Sequence, residues 1–381
     1  MRKFESVLDR VHDRELSQMQ AAEILGMSER TFRRWRDRHE AEGLSGLFDR
    51  RLGKASARRV PVDEIAWMVE QYRTVYTGWT VKHFHDHLRR HHDFRWGYTW
   101  TKTQLHAAGL VTKSPRRGAH RRRRPRRPLV GMLLHQDGSR HAWLQGRGPL
   151  DLIVTLDDAS SAIYSAFLVE EEGTMSSFSG LLAVVADQGL PCSLYTDRGS
   201  HYFHTPEAGG KVDKSTLTQV GRALAQLGIE HIAAYSPEAR GRSERAFATL
   251  QDRLVKELKL AGITTIEAAN RFIADIYLPD HNRRFARPPE RPESAFVPAS
   301  LEQVQDILCR QEDRTVGNDN TISYRGRSLQ IPPSPMRAHF VRARVRVHEY
   351  PGGDLAIFHG PRRLASYTAD GGVIDNQKLA A

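Results

Sequence analysis

Three acidic residues stand apart from the rest of this chain by their settings. Asp137 follows a short apolar run in Leu-Leu-His-Gln-Asp-Gly-Ser, and Asp197 sits where another apolar run breaks at a turn, in Ser-Leu-Tyr-Thr-Asp-Arg-Gly-Ser-His-Tyr. Glu244 lies in Ser-Pro-Glu-Ala-Arg-Gly-Arg-Ser-Glu-Arg and opens a helical pattern reaching about Leu260. Two strand-end aspartates and a helix glutamate are hard oxygen donors of the kind that hold two Mg²⁺ ions roughly 3.5–4 Å apart for phosphoryl transfer. Three other acids compete for these places. Asp157 and Asp158 are alternatives to Asp137, but they fall in a turn between two strands. Glu238 is an alternative to Glu244, but it directly follows Pro237, ahead of the helix.

The elements needed to bring these acids together can be read around them. Gly131 to Leu134 is apolar and leads to Asp137, while Leu150–Leu156 and Ala162–Val169 read as strands joined through Asp157-Asp158-Ala159-Ser160 as a hairpin. Ser176–Gln188 reads as a helix and Pro191–Tyr195 as a strand ending at Asp197. Leu217–Leu227 is a helix, Ile229–Ala233 a strand and Arg242–Leu260 a helix. On that last helix Phe247, Leu250, Leu254 and Leu258 form an apolar stripe. Three strands followed by alternating helix and strand is the order of an RNase H-like fold, whose mixed sheet sets its first strand beside its fourth. That order predicts Asp137 and Asp197 side by side, with the glutamate helix across from them. Arg240, Arg242, Arg245, Arg253 and Lys256 add positive charge suited to a phosphodiester.

These motifs carry a resemblance. Thr196-Asp197-Arg198-Gly199-Ser200-His201-Tyr202, then Tyr235-Ser236-Pro237 and Gly241-Arg242-Ser243-Glu244, resemble the core of the DDE transposase and retroviral integrase superfamily. Glu244 stands seven residues after the proline and three after the glycine, as in that family. Within it, bacterial insertion-sequence transposases with an integrase-type core are similar, the ISNCY group above all. The interval from Asp197 to Glu244 is wider than is common there, and the polar stretch Thr205–Lys214 accommodates it as a loop insertion. The resemblance covers about Gly131 to Pro298. It implies a DDE-type DNA transposase with Asp137, Asp197 and Glu244 as both catalytic residues and metal ligands. Two Mg²⁺ would serve as cofactors, with Mn²⁺ as a substitute. The partner would be double-stranded DNA, at the element's terminal repeats and at the target, and pairing two ends would require a homo-oligomer on DNA. His201 and Tyr202 would help position substrate. Two readings compete: a non-catalytic or domesticated DNA-binding regulator keeping the fold, and an RNase H-like nuclease that cuts without joining.

Composition points to the same class of partner. The 381 residues carry a net charge of +12 and a pI near 9.9, which suits a polyanion. The sequence lacks an eighteen-residue apolar stretch and a signal-peptide-like start, so no membrane span and a bacterial cytoplasmic, nucleoid-associated location are expected. Cys192 and Cys309 lie far apart without metal-ligand spacing, which argues for a reducing compartment and against zinc or disulfides.

The predicted architecture is multidomain α+β. Residues 1–55 form a helix-turn-helix domain, 56–112 a second, winged-helix-like one and 113–128 a basic linker. The integrase core occupies 129–298, and a helix with a small β-barrel fills 299–381. In the first domain Ser17 and Gln20 make a capping box, Gly26 stops the helix and Ser28 caps the next. Phe32 and Trp35 mark that helix's buried face. Arg30, Arg33, Arg34 and Arg38 lie off it, placed to enter a major groove. In the second domain Pro61 starts a helix through Tyr72, a second runs from Thr80 to His92, and a third from about Thr101 to Ala108 follows a Trp96–Trp100 turn. Two such modules would let one protomer read a long, bipartite repeat. His83, His87 and His91 share a helical face, but no paired cysteines accompany them, so the reading is a solvated, DNA-facing helix without zinc. The linker holds nine Lys/Arg and no acid; Arg121, Arg122, Arg123, Arg124, Arg126 and Arg127 are its candidates for tracking phosphates. After a helix over Leu301–Glu312, Thr321–Ile331 and His339–Glu349 alternate as strands with Arg342, Arg344 and Arg346 on one face.

Overall fold

The computed structural model describes residues 2–49, 59–112, 124–207, 210–213, 215–235, 241–333 and 337–374. Helices α1 (Arg2–His12), α2 (Gln18–Ile24) and α3 (Glu29–Glu42) lead into a short 3₁₀ turn at Gly43–Leu47. Then come α4 (Val62–Thr74), α5 (Val81–His91) and α6 (Tyr98–Ala107). The chain divides into two units, one of Met1–Val75 with Gln104–Leu110 and the other of Tyr76–Thr103 with Val111–Ala381.

The first unit begins with the helix pair expected from its caps. Ser17 Oγ accepts from Gln20 N at 3.2 Å and the Gln20 side chain accepts from Ser17 N at 2.9 Å. Ser28 Oγ accepts from Thr31 N. Gly26, at φ 67°, makes the turn that a residue with a Cβ would resist. Phe4, Leu8, Ala21, Ala22 and Phe32 fill the core, with Trp35 packed against it.

The second unit is built on strands β1 (Leu134–His141), β2 (Leu150–Asp157), β3 (Ile163–Val169), β4 (Ser193–Thr196) and β5 (Glu230–Ala233), in the order β3-β2-β1-β4-β5. The first three pair antiparallel, and β4 and β5 run parallel to β1. Helices α7 (Thr174–Asp187) and α8 (Gln219–Gln226) cover one face through Phe178, Leu181, Val184, Val220 and Leu224. Helix α9 (Gly241–Leu260) covers the other through the expected stripe of Phe247, Leu250, Leu254 and Leu258. All eight residues of β2 are buried between these layers.

One expectation is corrected here. The strand carrying Asp137 begins at Leu134, so Asp137 is in mid-strand and not beyond the strand's end. Its sequence, His-Gln-Asp-Gly-Ser-Arg, is too polar to show a strand by periodicity. Pairing along its whole length with apolar β2 makes it one.

Helices α10 (Ile266–Phe272) and α11 (Leu278–Phe285), joined through a π-helical turn at Ile273–Tyr277, close the free edge at β3. Asn270 accepts from Leu168 N at 2.7 Å and donates to Leu168 O at 3.0 Å. Asn282 does the same to Ile163, at 2.8 Å each way. Two side-chain amides thus take the place of a sixth strand on an edge that would otherwise invite pairing.

The histidine helix is the second correction. His83, His85 and His87 are buried, so α5 is not a solvated face. His83 Nε2 lies 2.8 Å from Glu257 on α9, Thr80 donates to Asp252 at 2.9 Å, and Arg253 donates to Asp86 at 3.2 Å. Stacked on Trp79 at 3.8 Å, His83 has exchanged water for a carboxylate and an indole.

The C-terminal part starts with α12 (Leu301–Ile307), shorter than expected because Arg310–Thr315 is strand β6. Strands β7 (Thr321–Tyr324), β8 (Arg327–Gln330), β9 (Arg344–Glu349), β10 (Leu355–His359), β11 (Arg362–Tyr367) and β12 (Val373–Ile374) follow. The predicted closed barrel is not formed among the described residues. An open sheet, β12-β11-β10-β9-β6, packs Val345, Val347, Leu355 and Ile357 against Ile322, Tyr324 and Leu329 of the separate β7-β8 hairpin. A two-residue β12 at one edge is too short to carry closure.

Among the described residues, no helix is long and apolar enough to cross a membrane.

Candidate active site

Asp137 and Asp197 are brought together by the sheet itself. Leu134 pairs with Leu194 and His135 with Tyr195 in the parallel β1–β4 ladder. Carried two residues further, that register sets Asp137 opposite Asp197, which follows the last residue of β4. Asp137 is buried, at 6% exposure. Asp197 is half-buried, and its Oδ1 accepts from Gly199 N at 2.8 Å, which fixes the turn after the strand.

Tyr202 stands behind this pair. Fully buried, its hydroxyl accepts from Ser177 Oγ at 3.1 Å and donates to Gln136 Oε1 at 3.2 Å. Burial pushes the phenol well above its ordinary range, and the charges of Glu172, Asp137 and Asp197 push it in the same direction. Tyr202 is thus a neutral floor beneath a cluster of carboxylates.

Glu172 also bears on Tyr202, from the face of β1 opposite Asp137, and was not foreseen. Its carboxylate lies over Gly138, where a Cβ would come within 2.2 Å of Oε2. The ring nitrogen Nε2 of His201 is 3.6 Å away. The available signal was the acidic run Glu170-Glu171-Glu172 between β3 and the start of α7, an odd place for three like charges.

Glu244 lies in the first turn of α9 with its side chain exposed. The helix runs along β1. Arg242 pairs with Asp158, which also holds His135, and Gln251 donates to Ser139 at 3.0 Å. His135, Asp137 and Ser139 share one face of the strand, so the stretch of α9 bearing Glu244 lies between these two anchor points, alongside Asp137. Among the described residues, no three His, Cys, Asp or Glu side chains form a ready-made metal-binding group.

The competing acids have other roles. Asp157 Oδ1 accepts from Ser160 N at 2.7 Å and from Ser160 Oγ at 2.8 Å, and Oδ2 from Gly131 N at 3.0 Å, locking the hairpin. Asp158, wholly buried, accepts from Arg127 N at 2.8 Å, sits 2.8 Å from His135 Nε2, and pairs with Arg124 and Arg242. Burial and the guanidinium groups of Arg124 and Arg242 push His135 down to about 3. Glu238 lies outside the described residues.

The basic candidates separate in the same way. Arg30, Arg33 and Arg34 are exposed on α3, Arg33 pairing with Glu29 at 2.8 Å, while Arg38 is half-buried. Arg121, Arg122, Arg123 and Arg240 are outside the described residues. Arg124 reaches Asp158, and Arg126 donates to Asp158 O, Ala159 O and Ser161 Oγ, so the end of the basic stretch is fastened to the core. Arg127 is exposed, although its backbone N–H is held by Asp158. Arg245 is exposed beside Glu244, with Nε donating to Gly241 O at 2.8 Å. Arg253 is buried against Asp86, and Lys256 is paired with Asp252 at 2.6 Å.

Comparison with known proteins gives this arrangement a context. Residues 10–66 match the winged helix-turn-helix family. Over 356 residues the chain is 31% identical to y4bF of Sinorhizobium fredii (strain NBRC 101917 / NGR234), which bears the name of a transposase; the match takes in 92% of this chain and 77% of that one. It is also 31% identical over 219 residues to the transposase for insertion sequence IS1202 of Streptococcus pneumoniae, covering 58% of this chain and 46% of the relative. Solved structures similar in part include the simian T-cell lymphotropic virus intasome in complex with a PP2A regulatory subunit (16% identity, TM-score 0.33, 76% of this chain and 91% of that one). The HTLV-2 integrase catalytic core domain with magnesium is another (17% identity, TM-score 0.30, 39% and 88%). The chain belongs to the transposase family of y4bF.

Proposed function

We propose that this transposase binds the ends of its own element and catalyses strand cleavage and strand transfer through Asp137, Asp197 and Glu244. The observation that carries the reading is the parallel β1–β4 ladder, beyond whose paired His135 and Tyr195 Asp137 and Asp197 each stand two residues on. It gives two hard carboxylates a common position beside the inner strands of the sheet.

The donor set fits Mg²⁺. This ion is commonly held by one or two carboxylates together with substrate phosphates, so a ready-made protein cage is not required. Asp137 and Asp197 supply the pair, and Glu244, on the exposed side of α9, would complete the set once DNA is present. Bound there, the metal would supply charge that lowers the pKa of the attacking water or 3′-hydroxyl and stabilises the leaving oxygen. The chain's own residues do the positioning. Gly199 N–H holds Asp197 in place, and neutral Tyr202 with Gln136 gives the carboxylates a rigid floor. Arg245, exposed beside Glu244, provides a cation for the phosphodiester. Arg30 and Arg34 of α3 would meet DNA in a major groove. No covalent protein–DNA intermediate is needed, since the new 3′-hydroxyl is itself the nucleophile of the second step.

The test is joining of a labelled duplex, carrying the DNA that flanks the gene, into plasmid in Mg²⁺ or Mn²⁺. Wild type should join strands, and Glu244→Gln should bind the duplex but not join it. Binding without joining by wild type on authentic ends would favour the regulator. Cutting without joining would favour the nuclease.

A further inference from the structure

Helices α5, α9 and α11 enclose a cleft of about 540 Å³ with an unusual wall. Six cations line it, Lys82, Arg89, Arg90, Arg253, Arg283 and Arg284, against one carboxylate, Asp86. Asp280 on α11 adds a second acid, bridging Arg90 at 2.9 Å and Arg284 at 2.5 Å. A network that only joined the helices would balance its charges. With Glu257 of α9 also 3.6 Å from Arg90, this one still has three more cations than anions.

Arg253 is the sharper observation. Its side chain is buried, one terminal nitrogen donates to Asp86 at 3.2 Å, and its guanidinium lies 5.1 Å over the ring of Phe285. The other terminal nitrogen, Nη1, is buried without a hydrogen-bond partner at the wall of the cleft. An unsatisfied buried guanidinium N–H is costly, and an anion entering the cleft would satisfy it. Burial, with the nearby charge of Arg90, pushes the pKa of Arg284 down, as expected where cations outnumber their partners.

We propose that this cleft is a seat for the DNA phosphodiester backbone, with Arg253 at its base and Lys82, Arg89 and Arg283 at its exposed rim. The inference rests on the DNA-acting role proposed above, but on none of the carboxylates. It adds a DNA contact apart from α3 and from the catalytic cluster. An extended polyanion suits a site whose rim cations stand on two separate helices, α5 and α11. Contacts of this kind position DNA without reading its sequence.

The experiment uses the full chain and two fluorescent duplexes of equal length, one with the element's flanking DNA and one of random sequence. Affinity is measured across a salt series for wild type and for Arg89→Ala/Arg283→Ala, both changes at exposed positions. The variant should bind both duplexes more weakly by the same factor. Its slope of log affinity against log salt should fall by about 2, near one unit per lost phosphate contact. Arg89→Lys/Arg283→Lys should recover most of that slope, which separates lost charge from a disturbed fold. An unchanged slope in the alanine variant, with wild type binding DNA, overturns the proposal and leaves the transposase reading standing. So does a melting temperature raised by pyrophosphate in wild type only, with the DNA slope unchanged, because the cleft would then serve a small free phosphate. Failure of wild type to bind either duplex overturns both readings together.

Discussion

Asp137 lies in the middle of β1 and Asp197 just past the end of β4, yet each stands two residues beyond the paired His135 and Tyr195. The parallel ladder therefore sets their separation, and no flexible loop intervenes on the Asp137 side. Two carboxylates held this way act as a unit. Asp137→Asn and Asp197→Asn should each cut strand transfer by roughly a hundredfold or more, as expected for the loss of several kcal/mol of charge stabilisation. The double variant should be scarcely worse than either single one, since residues that act together are not additive. Rate measurements on all three proteins, with duplex affinity as the control, check both points. Additive losses would separate the two aspartates.

Asp158 provides the contrast. It is as acidic as Asp137 and close to it in sequence, but it is wholly buried among Arg124, Arg242, His135 and the Arg127 N–H. Neutralising it leaves the largely buried guanidinium of Arg242 uncompensated. Asp158→Asn should therefore lower stability by about 3–5 kcal/mol, whereas Asp137→Asn should unfold at nearly the wild-type denaturant midpoint. Urea unfolding of the two variants makes the comparison. A stable Asp158→Asn protein without strand-transfer activity would move the catalytic role to Asp158.

The alternation of strand and helix, the α9 stripe and both N-terminal caps were legible because each depends on local periodicity or a capping residue. Ser17 with Gln20 and Phe247 with Leu250 are of that kind. What escaped depended on partners distant in sequence. The polar segment Gln136–Ser139 is a strand because β2 lies beside it, and Glu172 comes to lie over Gly138 although 34 residues separate them in the chain. The burial of His83 follows from Glu257, 174 residues away. The open C-terminal sheet belongs to the same class, since alternation marks strands but does not state which edges meet. The three proposed carboxylates stood out in the sequence because each sits in a distinctive short motif, whereas the arginine cleft did not, being assembled from three separate helices.

Gly46 and Gly138 give a paired prediction from equal distances. A Cβ on either would come within 2.2 Å of an oxygen, but at Gly46 that oxygen is the backbone carbonyl of Arg38 and at Gly138 it is the end of the Glu172 side chain. Backbone of a packed helix yields little, and a carboxylate can swing aside. Gly46→Ala should destabilise the N-terminal unit by about 1–3 kcal/mol, in the range of overpacking, and weaken duplex binding. Gly138→Ala should change stability by less than about 1 kcal/mol, since only a side-chain rotamer has to move. Its strand-transfer rate should also stay near that of wild type, since Glu172 lies on the face of β1 opposite Asp137. Thermal unfolding together with the two activity measurements separates the cases.

His348 on β9 allows a pH prediction away from the site. It is buried and stacked on Phe358 at 4.1 Å, facing Asp306 of α12, Arg222 of α8, Arg346 of its own strand and Arg363 of β11. Burial pushes its pKa down to about 4; Asp306 opposes this, and Arg222, Arg346 and Arg363 add to it. The unfolded histidine keeps a value near 6.5. Between those limits the unfolded chain binds a proton that the folded chain does not. Stability should therefore be complete above about pH 6.5 and fall as pH drops toward 4, at up to about 1.4 kcal/mol per pH unit for this group. His281, pushed down to about 4 by burial and the neighbouring Arg253 and Arg284, contributes with the same sign. His348→Leu removes one such proton and keeps an apolar surface against Phe358. Its unfolding free energy should fall less steeply than that of wild type between pH 6.5 and 4, by up to that amount per unit. Parallel pH profiles for the two proteins would show that His348 is already protonated in the folded sheet.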